Sequence, residues 1–202
     1  MSAEEVTGKD VGMPRRTMLR AAAVTTATVL LGGGLLAGNA AAAQHLWMSC
    51  KRCGGLWFTG NGTRGACPAG DWLDGGHHPV GLDHVLKTEE DGGAGQRGWR
   101  WCCRCQGLYF ESSRGNGFCP AYPFFHFPID SARHVTSAHY IVEDRGNLDR
   151  PGYGGWRWCF KCEGLYDLAS YPHYSGNVCP RDKQPHGRTG GDYVVRRFGA
   201  TR

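Results

Sequence analysis

"GWRWCCRCQGLYFESSRGNGFCP" occupies residues 98–120. Residues 155–180 read "GWRWCFKCEGLYDLASYPHYSGNVCP", and a looser copy, "LWMSCKRCGGLWFTGNGTRGACP", fills 46–68. Each copy carries a Cys-x-x-Cys pair, a Gly-Leu-aromatic triplet and a later Cys-Pro. Thirteen residues separate Cys53 from Cys67, and thirteen separate Cys105 from Cys119; sixteen separate Cys162 from Cys179. Two independent gaps that agree mark a duplicated unit. The repeats span 45–88, 98–143 and 155–198. Polar, Gly-rich linkers join them, "KTEEDGGAGQRG" and "EDRGNLDRPGYGG".

Histidines complete the pattern. His77 in "HHPVGLDHVL" aligns with His186 in "HGRTGGDYVV". In repeat 2, "HVTSAHYIV" offers His134, one residue out of that register, and His126 keeps the upstream spacing of repeat 3. His134 is preferred because it leads directly into the strand that the other repeats share. A Cys-x-x-Cys turn sets two thiolates on one side, and a third Cys and a His close a tetrahedron. That is the donor set of a structural zinc site of three cysteines and one histidine. The expected ligand sets are Cys50, Cys53, Cys67 and His77; Cys102, Cys105, Cys119 and His134; and Cys159, Cys162, Cys179 and His186. Cys103 is left over. Disulfides are the alternative in an exported protein, but three cysteines per repeat leave one unpaired each time. Arg52, Arg104 and Lys161 precede the second cysteine of each pair, where a cation offsets the surplus thiolate charge.

The N-terminus has a different composition. Residues 14–20 read "PRRTMLR", followed by an uncharged Ala-, Thr- and Gly-rich run to Ala43. Those parts make an export signal, and Arg15 with Arg16 make it resemble a twin-arginine (Tat) signal of bacterial secreted proteins. The resemblance implies passage through the Tat translocase as a folded protein with its metal already loaded, and a secreted location. Cleavage after Ala43 leaves 44–202 as one domain without a stable membrane span. That portion holds all 23 aromatic residues, and its 19 basic and 15 acidic side chains leave a surplus of four positive charges. Three sites of three thiolates, each one negative charge in excess of Zn²⁺, cut the surplus to about one. The charge that would point to nucleic acid is thereby removed.

Gly and Pro punctuate short aromatic runs throughout, and no helical period is sustained, so the class is all-β. Each repeat offers four short strands: around Trp-x-Trp-Cys, at Gly-Leu-aromatic, at Cys-Pro and at the Tyr-x-Val end. Three four-stranded repeats resemble a β-trefoil, the pseudo-threefold barrel of lectin-type modules, although the Gln-x-Trp signature of ricin-like lectins is absent. The alternative is three zinc-ribbon beads on a string. The repeat is also similar to those of a family of tandem-repeat bacterial secreted proteins, which implies architecture only.

No GxSxG, HExxH or phosphate-cradling loop is present, and a metal held by three cysteines and a histidine has no open position for catalysis. The expected function is therefore a non-catalytic binding module, with extracellular or cell-surface glycans as candidate ligands and Trp57, Tyr109 and Tyr166 as candidate stacking platforms. A secreted enzyme or effector is the alternative. The unique apolar segment "PAYPFFHFPID" of repeat 2 would then mark its pocket.

Overall fold

Trp47, Trp99 and Trp156 each stand three residues before the first cysteine of a repeat, and each is fully buried. A fixed spacing with a fixed burial means that the three repeats meet at one core. The computed structural model describes residues 43–121, 133–145, 152–168 and 177–199, all within the unit Asn39–Arg202.

Every repeat supplies a long strand, a three-residue strand and a second long strand. Repeat 1 gives β1 (Gln44–Cys50), β2 (Leu56–Phe58) and β3 (Pro79–Thr88); repeat 2 gives β4 (Gln96–Cys102), β5 (Leu108–Phe110) and β6 (Thr136–Asp144); repeat 3 gives β7 (Tyr153–Cys159), β8 (Leu165–Asp167) and β9 (Arg188–Arg197). No helix occurs among the described residues. β1, β4 and β7 each pair antiparallel with the two other strands of their own repeat. β3, β6 and β9 also pair with one another in all three combinations, so the sheet is nearly closed and barrel-like.

The expected strand at each Cys-Pro segment is not formed. Cys67-Pro68, Cys119-Pro120 and Cys179-Pro180 lie in turns. Pro has no N–H for a ladder, and the Cys67 and Cys179 carbonyls instead accept the turn amides of Gly70 and Lys183 at 2.9 and 3.0 Å.

A single apolar cluster draws on matching positions of all three repeats: Trp47, Trp99 and Trp156; Leu56, Leu108 and Leu165; Leu86, Val142 and Val195. Independent beads would not share such a core. The contacts run cyclically. Trp47 meets Tyr140 of repeat 2 edge-on at 5.1 Å, Trp99 meets Tyr193 of repeat 3 at 5.2 Å, and Trp156 meets His84 of repeat 1 at 5.4 Å. Edge-to-face geometry at these separations is favourable beyond simple burial. Tyr140 and Tyr193 donate their hydroxyls to Gln44 and Gln96, the latter at 2.6 Å. In the third junction, Tyr153 replaces the Gln and His84 replaces the Tyr, with rings 6.3 Å apart.

Beside the core, at corresponding positions of β3, β6 and β9, the side chains are Lys87, Glu143 and Arg196. Buried Glu143 pairs with Lys87 at 2.5 Å and with Arg196. Three identical charges there would repel. The mixed set lets three similar strands meet.

Each first strand also carries a bulge. Leu46, Gly98 and Gly155 occupy the same position with φ of 72°, 95° and 93°. Their amides are donated to Asp83, Glu89 and Asp192 carboxylates at 2.6, 3.1 and 3.2 Å. Glu89, in the first polar, Gly-rich linker, is thus a structural acceptor, and Arg100 holds it further at 2.6 Å.

His84 makes stability pH-dependent. Burial lowers its pKa from 6.5 to about 4. The unfolded chain takes up a proton that the folded chain refuses, so the contribution is complete above pH 6.5 and is lost as pH falls toward 4. Between pH 7 and pH 5 this costs roughly 1–2 kcal/mol. Denaturant unfolding of metal-loaded protein at the two pH values is expected to show that loss in the native chain. The loss should be smaller by that amount in His84→Tyr, which restores the residue of the other two repeats. Equal pH slopes would refute this role.

Candidate metal centres

The Cys-x-x-Cys turns fold alike because their backbones are bonded alike. Gly54, Gln106 and Glu163, one residue past the second cysteine, have φ of 72°, 65° and 64°. Each donates its amide to the carbonyl of the first cysteine at 2.8 Å. Only repeat 1 uses the residue that takes this conformation without strain. Gln106 and Glu163 are fixed there by side-chain bonds: Gln106 to the Cys103 carbonyl at 2.7 Å, and Glu163 from Trp158 Nε1 at 2.8 Å. Their side chains also reach the preceding repeat, through Asn61 at 2.7 Å and Ser112 at 3.0 Å.

That turn closes the end of the hairpin. The first cysteine ends β1, β4 or β7 and lies opposite the first residue of β3, β6 or β9: Cys50 opposite Pro79, Cys102 opposite Thr136, Cys159 opposite Arg188. The histidine lies two residues before that partner strand. The structure accordingly brings together Cys50, Cys53, Cys67 and His77; Cys102, Cys105, Cys119 and His134; and Cys159, Cys162, Cys179 and His186, with the ligand atoms of each set within 4.8 Å of one another. His126 lies outside the described residues.

The spacings suit a tetrahedral metal. The first and third sulfurs are 3.8, 3.8 and 3.9 Å apart. Sulfurs bound at ~2.3 Å to a tetrahedral ion stand about 3.8 Å apart, whereas a disulfide needs ~2.05 Å. All ten cysteines are free of disulfides. The histidine Nδ1 atoms stand 3.6, 3.4 and 3.4 Å from the second sulfur. Backbone amides of His78 and Val135 are donated to Cys50 and Cys102 Sγ at 3.4 Å, as suits a thiolate.

Crowding sets the charge problem. Cys50, Cys102 and Cys159 are held far below the usual thiol pKa, first by hydrogen bonds from the neighbouring Cys53, Cys105 and Cys162. Their partners move the other way. Hydrogen bonding to the first cysteine pushes Cys67 and Cys119 up to about 12 and Cys179 up to about 11. Cys53 is raised by its bond to Cys50, and Cys105 and Cys162 are raised by burial. Without a cation, each cluster thus favours one thiolate. A divalent ion reverses that preference and stabilises all three.

The rings expected at a ligand surface are elsewhere. Trp57, Tyr109 and Tyr166 are buried and stack on the cluster histidines, with His77 at 5.2 Å, His134 at 4.3 Å and His186 at 4.5 Å. They orient the imidazoles and leave no face for a sugar. Their fixed place four residues after the second cysteine is the sequence signal for this role. The basic residues within the turns also act structurally. Arg52 donates to the Ala69 and Asp74 carbonyls at 2.5 and 2.7 Å, and Lys161 donates to Pro185 O and Asp182 at 2.7 Å, so both brace the loop that carries the third and fourth ligands. Cys103 is exposed.

No family model matches the chain, and comparisons with curated proteins and with solved structures find no match.

Placing His134 in the second cluster has a direct test. A structural metal contributes on the order of 10 kcal/mol to folding. His134→Ala is expected to bind two metal ions and to melt far lower, whereas His126→Ala keeps three. The measurements are metal stoichiometry and melting temperature. Loss of an ion from the His126 variant alone would place the fourth ligand in the repeat 2 segment instead.

Proposed function

We propose that this chain is an exported, non-catalytic binding module whose β-trefoil-like barrel is held by three structural zinc ions. The observation that carries the reading is the closed donor set repeated three times. Three sulfurs and one nitrogen at tetrahedral spacing match zinc, which favours Cys and His ligands, and leave no position for substrate or activated water. The cyclic pairing of β3, β6 and β9 supports the pseudo-threefold barrel, with three strands per repeat rather than four.

Export by the Tat route follows from Arg15 and Arg16 before a weakly apolar run. It reconciles the thiols with an oxidising destination, because a protein folded around its metal before crossing carries its cysteines already protected. Partners are then extracellular, glycans or cell surfaces among them. A glycan would meet residues other than Trp57, Tyr109 and Tyr166.

Exported protein examined by native mass spectrometry is expected to carry three zinc ions, with nine cysteines resistant to alkylation until a chelator is added. Replacing Arg15 and Arg16 by Lys should retain the protein inside the cell. Metal-free, disulfide-linked exported protein would overturn the zinc reading, and undiminished export of the Lys variant would overturn the Tat route.

A further inference from the structure

The repeats are most alike at their cysteine–histidine clusters, so a place where one junction departs from another points to something beyond folding. Repeats 1 and 2 meet much as repeats 2 and 3 do. Gly65 and Gly117 each press against the second cysteine of the following repeat, so closely that a Cβ would lie 2.2 Å from the Cys105 or Cys162 carbonyl oxygen. The next residue, Ala66 or Phe118, donates its amide to that same carbonyl at 3.3 Å in both. The backbone frame is shared; the side chains are not.

At the second junction the frame borders an open cleft of about 400 Å³ lined by Arg114, Arg133, Lys161 and Arg181, with Phe118 and Phe160 as apolar walls. Counted from the cysteines and the cluster histidine, the corresponding residues at the first junction are Gly62, Gly76, Arg104, Ala121, Ala66 and Cys103. Three cations and two aromatic rings thus distinguish the second junction from the first. They come from both repeats, so the cavity exists only because the two are docked.

Arg114 and Arg181 share this lining with Lys161, and like charges gathered around one cavity favour an anion that joins them. Within the protein, Asp182 offsets Lys161 at 2.7 Å. Among the described residues the carboxylate in the lining is Glu163, which is buried, accepts hydrogen bonds from Ser112 and Trp158, and lies within electrostatic reach of Arg114. Arg133 lies over Gly115, where a Cβ would clash with its guanidinium, and donates to the Arg114 carbonyl at 3.3 Å. Arg133 is thereby fixed beside the Arg114 backbone, while Phe160, in the same lining, stands 41% exposed.

We propose that this junction is a binding site for a sugar-sized molecule bearing a phosphate or sulfate ester, with Arg114 and Arg181 holding the oxyanion and Phe118 and Phe160 flanking the ring. Arginine forks match tetrahedral oxyanions, and the volume falls in the range of small-molecule sites. This rests on the binding-module reading and gives its ligand a chemistry. It does not depend on which metal fills the clusters.

The test is calorimetric titration of metal-loaded protein with glucose 6-phosphate, glucose 6-sulfate, inorganic sulfate and glucose. The variants are Arg114→Ala/Arg181→Ala, Phe160→Ala, and Lys51→Ala, the last removing an exposed charge at the position that Phe160 fills in repeat 3. Metal content verifies that each variant is folded. One saturable site is expected for at least one ester, with the phosphate and sulfate arms identifying which. Affinity should fall by about tenfold or more in the double variant, weaken with salt, and stay unchanged in Lys51→Ala. Phe160→Ala should weaken the ester but not inorganic sulfate. Absence of saturable binding by either ester would overturn the site. So would equal affinity in the native chain and the double variant. Binding of neutral glucose, unaffected by the arginine changes, would also overturn it, while leaving the binding-module reading intact.

Discussion

Four donor atoms within 4.8 Å of one another, three of them thiols, are the constraint on which each repeat depends. Without a cation such a set favours a single thiolate, with the other two thiols pushed toward their neutral form. With a cation, it ties three separate stretches of chain to a point. The first cysteine ends one long strand, the histidine sits two residues before its partner, and the intervening loops, 51–78, 103–135 and 160–187, contain no strand longer than three residues among the described positions. Closing loops of that length costs chain entropy that short strands alone would barely offset. A metal held there would fix the hairpin ends; the hairpins place the tryptophans, and the tryptophans build the shared core.

The sequence made the clusters legible because metal ligation is local arithmetic: a tight Cys-x-x-Cys turn, a third cysteine at a fixed gap, a histidine before an apolar strand. All-β class was equally legible from Gly, Pro and short aromatic runs. The role of Trp57, Tyr109 and Tyr166 was not. In a three-residue strand, alternation cannot separate an inner from an outer face, and in β2 and β8 every residue is buried because the ligand loops cover the second face. The Cys-Pro segments read as strands for a similar reason: apolar neighbours suggest extension, whereas ligand geometry requires a turn. Which histidine of repeat 2 completes its cluster depended on where an insertion falls, and insertions in loops leave little local signal.

Duplication explains why the fold closes, and divergence explains where it is specialised. Lys87, Glu143 and Arg196 differ because three like charges could not share one meeting point of strands. His84 differs from Tyr140 and Tyr193 and brings pH sensitivity into the core. The junction of repeats 2 and 3 differs in charge and aromatic content while its backbone frame is unchanged. The first difference follows from packing. In the last, Phe118 packs against the third cluster, while three added arginines line the cavity and are the basis of the proposed site.

X-ray absorption at the zinc edge on purified, metal-loaded protein tests the coordination most directly. Three sulfurs at ~2.3 Å and one nitrogen at ~2.0 Å per ion, with no oxygen shell, are the expected result. A spectrum dominated by light-atom scatterers, or one requiring a bound water, would mean that the clusters are not closed structural sites, and would contradict the whole chain of dependence from metal to hairpin to core.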